Sequence, residues 1–172
     1  MLALQIGTEV SHNELSRSLG ISRPTVERYL DLLEKTFIIR KIRAFSGNLR
    51  KEINKSCRYY FCDNGLRNAV INNFNYLDMR DDNGMLWENL VVTERLKALD
   101  YRGIFSNVYF WRTYDGKELD LVEERGGKLF GFEIKWKKKK PRPPSLWEKT
   151  YNGASYSCIN RDNYQEFVLG DS

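Results

Sequence analysis

Apolar residues in the first part of the chain recur with the spacing of two amphipathic helices joined by a tight turn. Ser11 and Glu14 have the spacing of a capping box, which predicts a helix that ends near Leu19. Gly20 predicts the turn, because glycine adopts the left-handed conformation freely. Ser22 then caps a second helix, whose apolar stripe consists of Val26, Tyr29, Leu30 and Leu33. This order predicts a helix-turn-helix.

A strand-like run follows the second helix and predicts a β-ribbon, or wing. Its apolar residues are Phe37, Ile39, Ile42 and Phe45, and a turn at residues 46–48 leads to a returning strand at residues 58–62. A polar, Asn-rich and Asp-rich stretch then extends to Gly84. We therefore predict a winged helix-turn-helix domain at residues 1–78 and a second domain at residues 79–172.

The second domain shows helical periodicity first and strand patterns afterwards. A helix is predicted from about Met85 to Asp100, and three strands are predicted at residues 107–112, 117–124 and 128–136. A last strand at residues 156–160 and a closing segment at residues 167–169 follow. The expected fold class is α/β (α+β), with a winged helix followed by a mixed sheet that helices flank.

A two-residue hairpin loop at Gly126 and Gly127 fixes which residues of two neighbouring strands face each other. Asp120 then lies opposite Glu133, and Glu118 lies opposite Lys135. Strict alternation places these four polar side chains on one face of the sheet. The other face receives the apolar residues Leu119, Leu121, Phe132 and Ile134.

Two carboxylates opposed at about 5 Å repel each other by roughly 3 kcal/mol at an effective dielectric near 20. A magnesium ion relieves this repulsion, because it takes oxygen ligands from one or two carboxylates, water and a substrate phosphate. Lys135 could orient or deprotonate the attacking water, or stabilise the developing charge. An exposed salt-bridge network, in which Lys117, Lys128 and Lys135 neutralise the acids, explains the same spacing.

The net charge of +5 favours an acidic partner such as DNA. In the first domain the candidate phosphate ligands are Arg23, Arg28, Lys41 and Arg43, with Arg50 and Lys51 beside them. In the second domain they are Lys137, Lys138, Lys139 and Lys140. Glu27, Asp31 and Glu34 oppose DNA binding by the second helix, so a structural or domain-docking role stays open for the first domain. For the four lysines at residues 137–140, simple exposure to solvent is an equally good explanation.

The remaining sequence patterns concern the cellular location of the protein and the absence of a nucleotide-binding motif. Three cysteines, an odd number without zinc-knuckle spacing, predict free thiols in a reducing cytoplasm. No segment approaches the roughly 20 apolar residues of a membrane helix, so we expect no membrane partner and a cytoplasmic location. The chain lacks the Gly-Lys-Ser or Gly-Lys-Thr of a phosphate-binding loop. ATP is therefore not expected to bind within it.

Two sequence stretches resemble the PD-(D/E)XK nuclease signature. They are Leu119-Asp120-Leu121 and, after the hairpin, Phe132-Glu133-Ile134-Lys135. The upstream Trp87-Glu88-Asn89-Leu90 is similar to the acidic first helix of that superfamily, and Glu94 is a competing helix acid. The resemblance implies Mg or Mn as cofactor, with Asp120, Glu133 and Glu88 as metal ligands and Lys135 as the catalytic lysine.

The whole chain resembles the C-terminal region of prokaryotic AAA+ superfamily P-loop ATPases, in which a winged helix precedes a nuclease-like domain of the DUF class. The residues that carry this likeness are 15–33, 60–66, 84–94 and 120–135. It implies that ATP binds in a preceding ATPase domain, that DNA is a second partner, and that an oligomer is compatible with the architecture. The expected function is magnesium-dependent cleavage of DNA. A silent nucleic-acid-binding module and a regulatory or oligomerisation region of the ATPase are the alternatives.

Overall fold

The computed structural model describes residues 1–47, 56–137 and 141–170. The chain begins with a 3-10 helix, Leu2–Leu4, and continues through helices α1 (His12–Leu19) and α2 (Arg23–Lys35) to strands β1 (Ile39–Phe45) and β2 (Cys57–Phe61). The Ser11 side chain accepts a hydrogen bond from the Glu14 amide, and the Ser22 side chain accepts one from Thr25. Gly20 ends α1 at a φ of 66°. The helix-turn-helix and the antiparallel ribbon are confirmed.

The buried stripe of α2 is narrower than its sequence predicts. Val26 and Leu30 are buried, whereas Tyr29 is 58% exposed. The prediction that Tyr29 joins the core was wrong. Successive residues on a helix point about 100° apart, so Tyr29 points away from its buried neighbour Leu30 and lies outside the covered side of α2.

The C-terminal half contains the predicted helix and strands, with bounds that differ by a few residues. Its elements are α3 (Asn64–Val70), a 3-10 helix (Leu77–Met79), α4 (Asn83–Tyr101), β3 (Asn107–Arg112), β4 (Glu118–Arg125), β5 (Lys128–Ile134), α5 (Ser145–Thr150), β6 (Ser155–Ile159) and α6 (Tyr164–Leu169). Within the described ranges no helix is long and apolar enough to span a bilayer.

One six-stranded sheet, in the order β2-β1-β3-β4-β5-β6, runs through the part of the chain that the structure describes. The pairs β1–β3 and β5–β6 are parallel, and the other neighbours are antiparallel. This mixed sheet with flanking helices confirms the predicted fold class. The β1–β2 ribbon continues the sheet of the C-terminal half, so the two halves share backbone hydrogen bonds. The boundary at residues 78 and 79 stays a prediction.

A bulge in β4 interrupts the alternation of its side chains. Val122 pairs with Tyr109 and Leu119 with Trp111, so Asp120 and Leu121 both lie opposite Phe110. Leu119 consequently packs with Trp111, whereas Leu121 packs with Phe110 in a separate cluster. The prediction that Leu119 and Leu121 share a face was therefore wrong, although both are buried.

The bulge also separates the four polar residues that were expected on one face. Glu118 contacts Arg58, whose guanidinium lies over the Phe110 ring of the α4 side. Glu133 contacts Tyr156, which packs against the cluster on the opposite side. The single-face prediction was wrong, because the extra residue changes the side to which the following residues point.

Candidate active site

The β4–β5 hairpin has the register that its glycines predict. Gly126 and Gly127 both have positive φ, 55° and 73°, as a two-residue turn requires. Arg125 pairs with Lys128, and the ladder continues to Leu121 and Phe132. Past that pair, Oδ2 of Asp120 accepts a hydrogen bond of 2.7 Å from the Ile134 amide. The side chain of Asp120 is thereby tied to the strand that carries Glu133.

Asp120, Glu133 and Lys135, here called the acid–lysine group, come together at the end of this hairpin. The Lys135 Nζ lies 3.0 Å from Glu133 Oε1 and 3.9 Å from Asp120 Oδ2. The Tyr156 hydroxyl donates a 2.7 Å hydrogen bond to Glu133 Oε2. Asp120 is buried, whereas the Lys135 side chain is 35% exposed. The group is therefore open to solvent on the side of the lysine.

Arg58 is the site residue that the sequence analysis missed. Its side chain is only 4% exposed and lies among three carboxylates. Nη2 donates a 2.6 Å hydrogen bond to Glu118, and Nη1 lies 3.7 Å from Glu88 and 3.6 Å from Asp120. An arginine within an otherwise apolar and aromatic strand was a signal in the sequence, but its partners lie far along the chain. We call these four residues the arginine cluster.

Burial and the surrounding charges set the protonation of these groups. Burial, reinforced by the charge of Asp120, raises the pKa of Glu88 to about 8. Burial also raises the pKa of Asp120, against the effects of Lys135, the Ile134 amide and Arg58. Burial acts to lower the pKa of Lys135, but Asp120 and Glu133 outweigh it and the pKa rises. Lys135 is accordingly charged at neutral pH. The carboxyl group of Glu88 is mostly protonated at pH 7.

The two carboxylates of the acid–lysine group are the candidate ligands of a divalent ion. No group of three or more His, Cys, Asp or Glu suited to a metal ion occurs in the described ranges. Asp120 and Glu133 nevertheless approach one ammonium, so this pair already shares a cation. Mg²⁺ is commonly held by one or two carboxylates, with water and substrate phosphate as the other ligands. Glu88 instead accepts a 2.8 Å hydrogen bond from the Tyr60 hydroxyl and faces Arg58, so its metal role stays a prediction.

A cleft of about 420 Å³ opens beside Lys135 and gives access from solvent. Its lining is Arg80, Asp81, Asn83, Gly84, Lys135, Trp136 and Lys137. Arg80 is already paired with Asp82, so the cations that remain for an anionic ligand are Lys135 and Lys137. Lys138, Lys139 and Lys140, the other predicted phosphate ligands here, lie outside the described residues, as do Arg50 and Lys51.

The cationic residues of the helix-turn-helix are partly neutralised by its own acids. Arg23 Nε donates a 2.8 Å hydrogen bond to Glu27. Lys41 lines a cleft together with Glu27, Asp31 and Glu34. Arg28 and Arg43 are exposed. DNA binding by Arg23, Arg28, Lys41 and Arg43 stays a prediction.

Two family models match successive parts of the chain. Residues 1–77 match a domain of unknown function (DUF8612), and residues 83–161 match another domain of unknown function (DUF4143). The predicted boundary lies in the gap between the two matches. Arg58 therefore belongs to the first matched region, and the acids around it belong to the second.

The curated relatives are uncharacterized bacterial proteins. The chain is 36% identical over 138 residues to proteins of Mycobacterium bovis and Mycobacterium tuberculosis, with 78% of this chain and 30% of each relative covered. A Haemophilus influenzae protein is 25% identical over 164 residues, with 94% of this chain and 35% of the relative covered. The chain thus spans about a third of the length of these relatives. No solved structure matches it at a significant level.

Proposed function

We propose that this chain is the C-terminal region of a larger AAA+ P-loop ATPase and that its acid–lysine group cleaves phosphodiester bonds in DNA. One observation carries the catalytic part: the ammonium of Lys135 lies within 3.9 Å of two carboxylates, Asp120 on one strand and Glu133 on the next, at the end of a hairpin. The likeness to the C-terminal region of such ATPases supports the context. The match covers only 30% of the Mycobacterium bovis protein and 35% of the Haemophilus influenzae protein, so the rest of each relative is long enough to contain an ATPase domain.

In this proposal Asp120 and Glu133 hold Mg²⁺ or Mn²⁺. A bound divalent ion would polarise the phosphoryl oxygen and lower the pKa of a water molecule. Both carboxylates are held in place, Asp120 by the Ile134 amide and Glu133 by the Tyr156 hydroxyl. Such fixed orientation favours catalysis because the ligands need no reorganisation when substrate arrives.

Lys135 has a separate role from the two acids. Because the adjacent carboxylates raise its pKa, it remains an ammonium at neutral pH and does not act as a base. It would instead donate hydrogen bonds to the phosphate and stabilise the negative charge that develops during attack by water. Hydrolysis leaves one product with a phosphate and the other with a hydroxyl. The cleft beside Lys135, with Lys137 in its lining, is the expected path of the DNA backbone.

The test is cleavage of linear and plasmid DNA by the purified chain with Mg²⁺ or Mn²⁺. We expect Asp120→Asn and Glu133→Gln to reduce the rate at least about 100-fold, because each removes a charged metal ligand. Glu94→Gln is the matched control, since Glu94 pairs with Lys97 on the surface of α4 and should leave the rate unchanged. Equal cleavage by all the variants would point to a contaminating nuclease and contradict the proposal.

A further inference from the structure

Exposed aromatic side chains gather at one end of the sheet. Phe37 and Phe105 each come two residues before a strand, β1 and β3, and these parallel neighbours start at the same end of the sheet. Tyr101 is the last residue of α4 and lines a cleft of about 340 Å³ together with Phe37. The exposed fractions are 68% for Phe37, 85% for Tyr101 and 98% for Phe105. We call these three residues the aromatic surface.

Phe37 occupies its position at a cost in backbone conformation. Helix α2 ends in a Schellman motif, in which the amide of Phe37 donates to the Glu34 carbonyl and the amide of Ile38 donates to the Leu33 carbonyl. The motif gives Phe37 a φ of 56°, at a position that glycine usually takes. Asparagine tolerates such a φ, as at Asn72, whereas a bulky aromatic residue rarely adopts it.

Burial within the chain does not compensate for this cost. The Phe37 ring is mostly exposed, and the Arg40 guanidinium lies 5.6 Å from its centroid. A cation–π contact of this kind is weak between exposed groups. Strained backbone is typical of residues that hold a ligand or a partner. We therefore expect the ring to be buried by something that binds there.

The charges around the cleft balance, and this decides between two kinds of partner. Arg40 pairs with Asp100 at 3.1 Å, and Lys97 pairs with Glu94 at 2.7 Å. A nucleic acid is disfavoured, because its phosphates attract surfaces with surplus positive charge. A second copy of the chain is favoured, because two chains of net charge +5 repel each other least through a surface of balanced charge.

The shape and area of the aromatic surface also suit a second copy. In a two-fold contact the Arg40 of one copy can face the Asp100 of the other, and a surface with both a cleft and a projecting ring, Phe105, can complement itself. The three rings supply roughly 500 Å² of surface per copy. Two copies would bury roughly 1,000 Å², which is the lower bound for a specific interface.

We propose that the aromatic surface joins two copies of this chain in a two-fold symmetric dimer. The inference does not rest on the proposed nuclease function. Strands β3 and β5 run in the same direction, because both are antiparallel to β4. The acid–lysine group lies where β5 ends, whereas Phe105 precedes the start of β3. The dimer therefore leaves the candidate active site open in both copies.

The experiment is sedimentation equilibrium of the purified chain at concentrations from about 1 to 200 μM. We expect the wild-type chain to dimerise with a micromolar Kd, and Tyr101→Ser to raise this Kd at least tenfold. Tyr76→Ser is the matched control. Tyr76 is 82% exposed but comes before the 3-10 helix that precedes α4, at the other end of that helix, so its loss should leave the Kd unchanged.

Phe37→Gly separates a role in the interface from a role in the fold of one chain. Glycine relieves the backbone at this φ, so the variant should raise the Kd at least tenfold without loss of stability. Stability is compared in the monomeric Tyr101→Ser background, where addition of Phe37→Gly should leave the urea midpoint equal or higher. A lower midpoint would show that Phe37 stabilises the single chain and would contradict the proposal.

Three further results would overturn the dimer. They are a wild-type chain that stays monomeric at about 200 μM, a dimer that Tyr101→Ser does not weaken, and a dimer that Tyr76→Ser weakens equally. A monomeric chain whose binding to an oligo(dT) strand falls with Tyr101→Ser would assign the cleft to nucleic acid instead. None of these results bears on DNA cleavage by the acid–lysine group, which is tested separately.

Discussion

Two buried groups of arginine and acid residues in this molecule have opposite charge balance. In the arginine cluster, one guanidinium faces three carboxylates. In the second group, Asp82 alone faces Arg67 and Arg80, whose side chains are each 2% exposed. Hydrogen bonds from Arg80, with Arg67 adding to them against burial, lower the pKa of Asp82 to about 2, whereas the pKa of Glu88 rises to about 8. The same residue types thus give a carboxyl group of lowered pKa in one place and a carboxyl group of raised pKa in the other.

The positions of the two groups fit this difference. Asp82 precedes α4, and its partner Arg67 lies on α3 and also donates a hydrogen bond to the Ala3 carbonyl. These contacts join three segments of backbone. The arginine cluster reaches Lys135 through Asp120, and Lys135 lines the cleft. The arginine-rich group joins segments of backbone, whereas the arginine cluster adjoins the candidate active site.

The largest expected effect on stability comes from removing the acid of the arginine-rich group. Asp82→Asn leaves Arg67 buried without its counter-charge, and breaking such a pair costs about 3 kcal/mol. Urea unfolding at pH 7 measures the loss. Asp81→Asn is the control, because Asp81 is exposed and should change the free energy of unfolding very little. Equal effects of the two variants would remove the structural role assigned to Asp82.

The pH dependence of Asp82 provides the next test. Because its folded pKa lies below the usual value, its contribution to stability is complete above about pH 4 and is lost as the pH falls toward 2. The contribution is about 2 kcal/mol, from 1.36 kcal/mol per pKa unit. Wild-type stability should therefore fall more steeply than that of Asp82→Asn between pH 4 and 2. Parallel acid curves for the two proteins would contradict this assignment.

Glu88 should show the reverse dependence. Its folded pKa is raised, so the stability that it contributes is complete below about pH 4.5 and is lost as the pH rises toward 8. Glu88→Gln cannot ionise and should be more stable than wild type at pH 8 by at least about 1 kcal/mol. Thermal unfolding in EDTA at pH 5 and pH 8 measures the difference. If the stability of Glu88→Gln relative to wild type is the same at pH 8 as at pH 5, the pKa of Glu88 is not raised and the prediction is wrong.

The smallest expected difference is the one between two glycine-to-alanine variants, one of them at Gly7, which packs against Glu88. A Cβ on Gly7 would lie 2.8 Å from Glu88 Oε1, and the residue has a φ of 69°. Gly103 has a similar φ of 63°, and a Cβ on Gly103 would have no atom within 4 Å. Both alanine variants carry a backbone cost of about 1 kcal/mol, and Gly7→Ala should lose about 1 kcal/mol more. Chemical denaturation measures the free energy of unfolding of both variants, and the difference between them isolates the contact with Glu88. Equal losses of stability would show that this contact has no effect.

The predictable parts of the site are those fixed by neighbours in the chain. Gly126 and Gly127 set the hairpin register, and beyond its last pair the Asp120 side chain accepts a hydrogen bond from the Ile134 amide, next to Glu133. The bulge was not predictable from alternation, because it accommodates distant packing. Leu119 turns toward Trp147, and a Cβ on Gly131 would lie 2.7 Å from Leu119 Cδ1 and 3.1 Å from the Trp147 ring. The space that Trp147 fills therefore influences how β4 runs past Asp120.

The sequence by itself determined the caps of α1 and α2 and the register of the β4–β5 hairpin, because each depends on dihedral preferences and hydrogen bonds within a short stretch. Only the tertiary structure decided that Arg58 lies among the acids. That contact requires the parallel pairing of β1 with β3, which closes a loop of more than 60 residues. Such pairing depends on the burial of both surfaces of the sheet, and no local pattern specifies it.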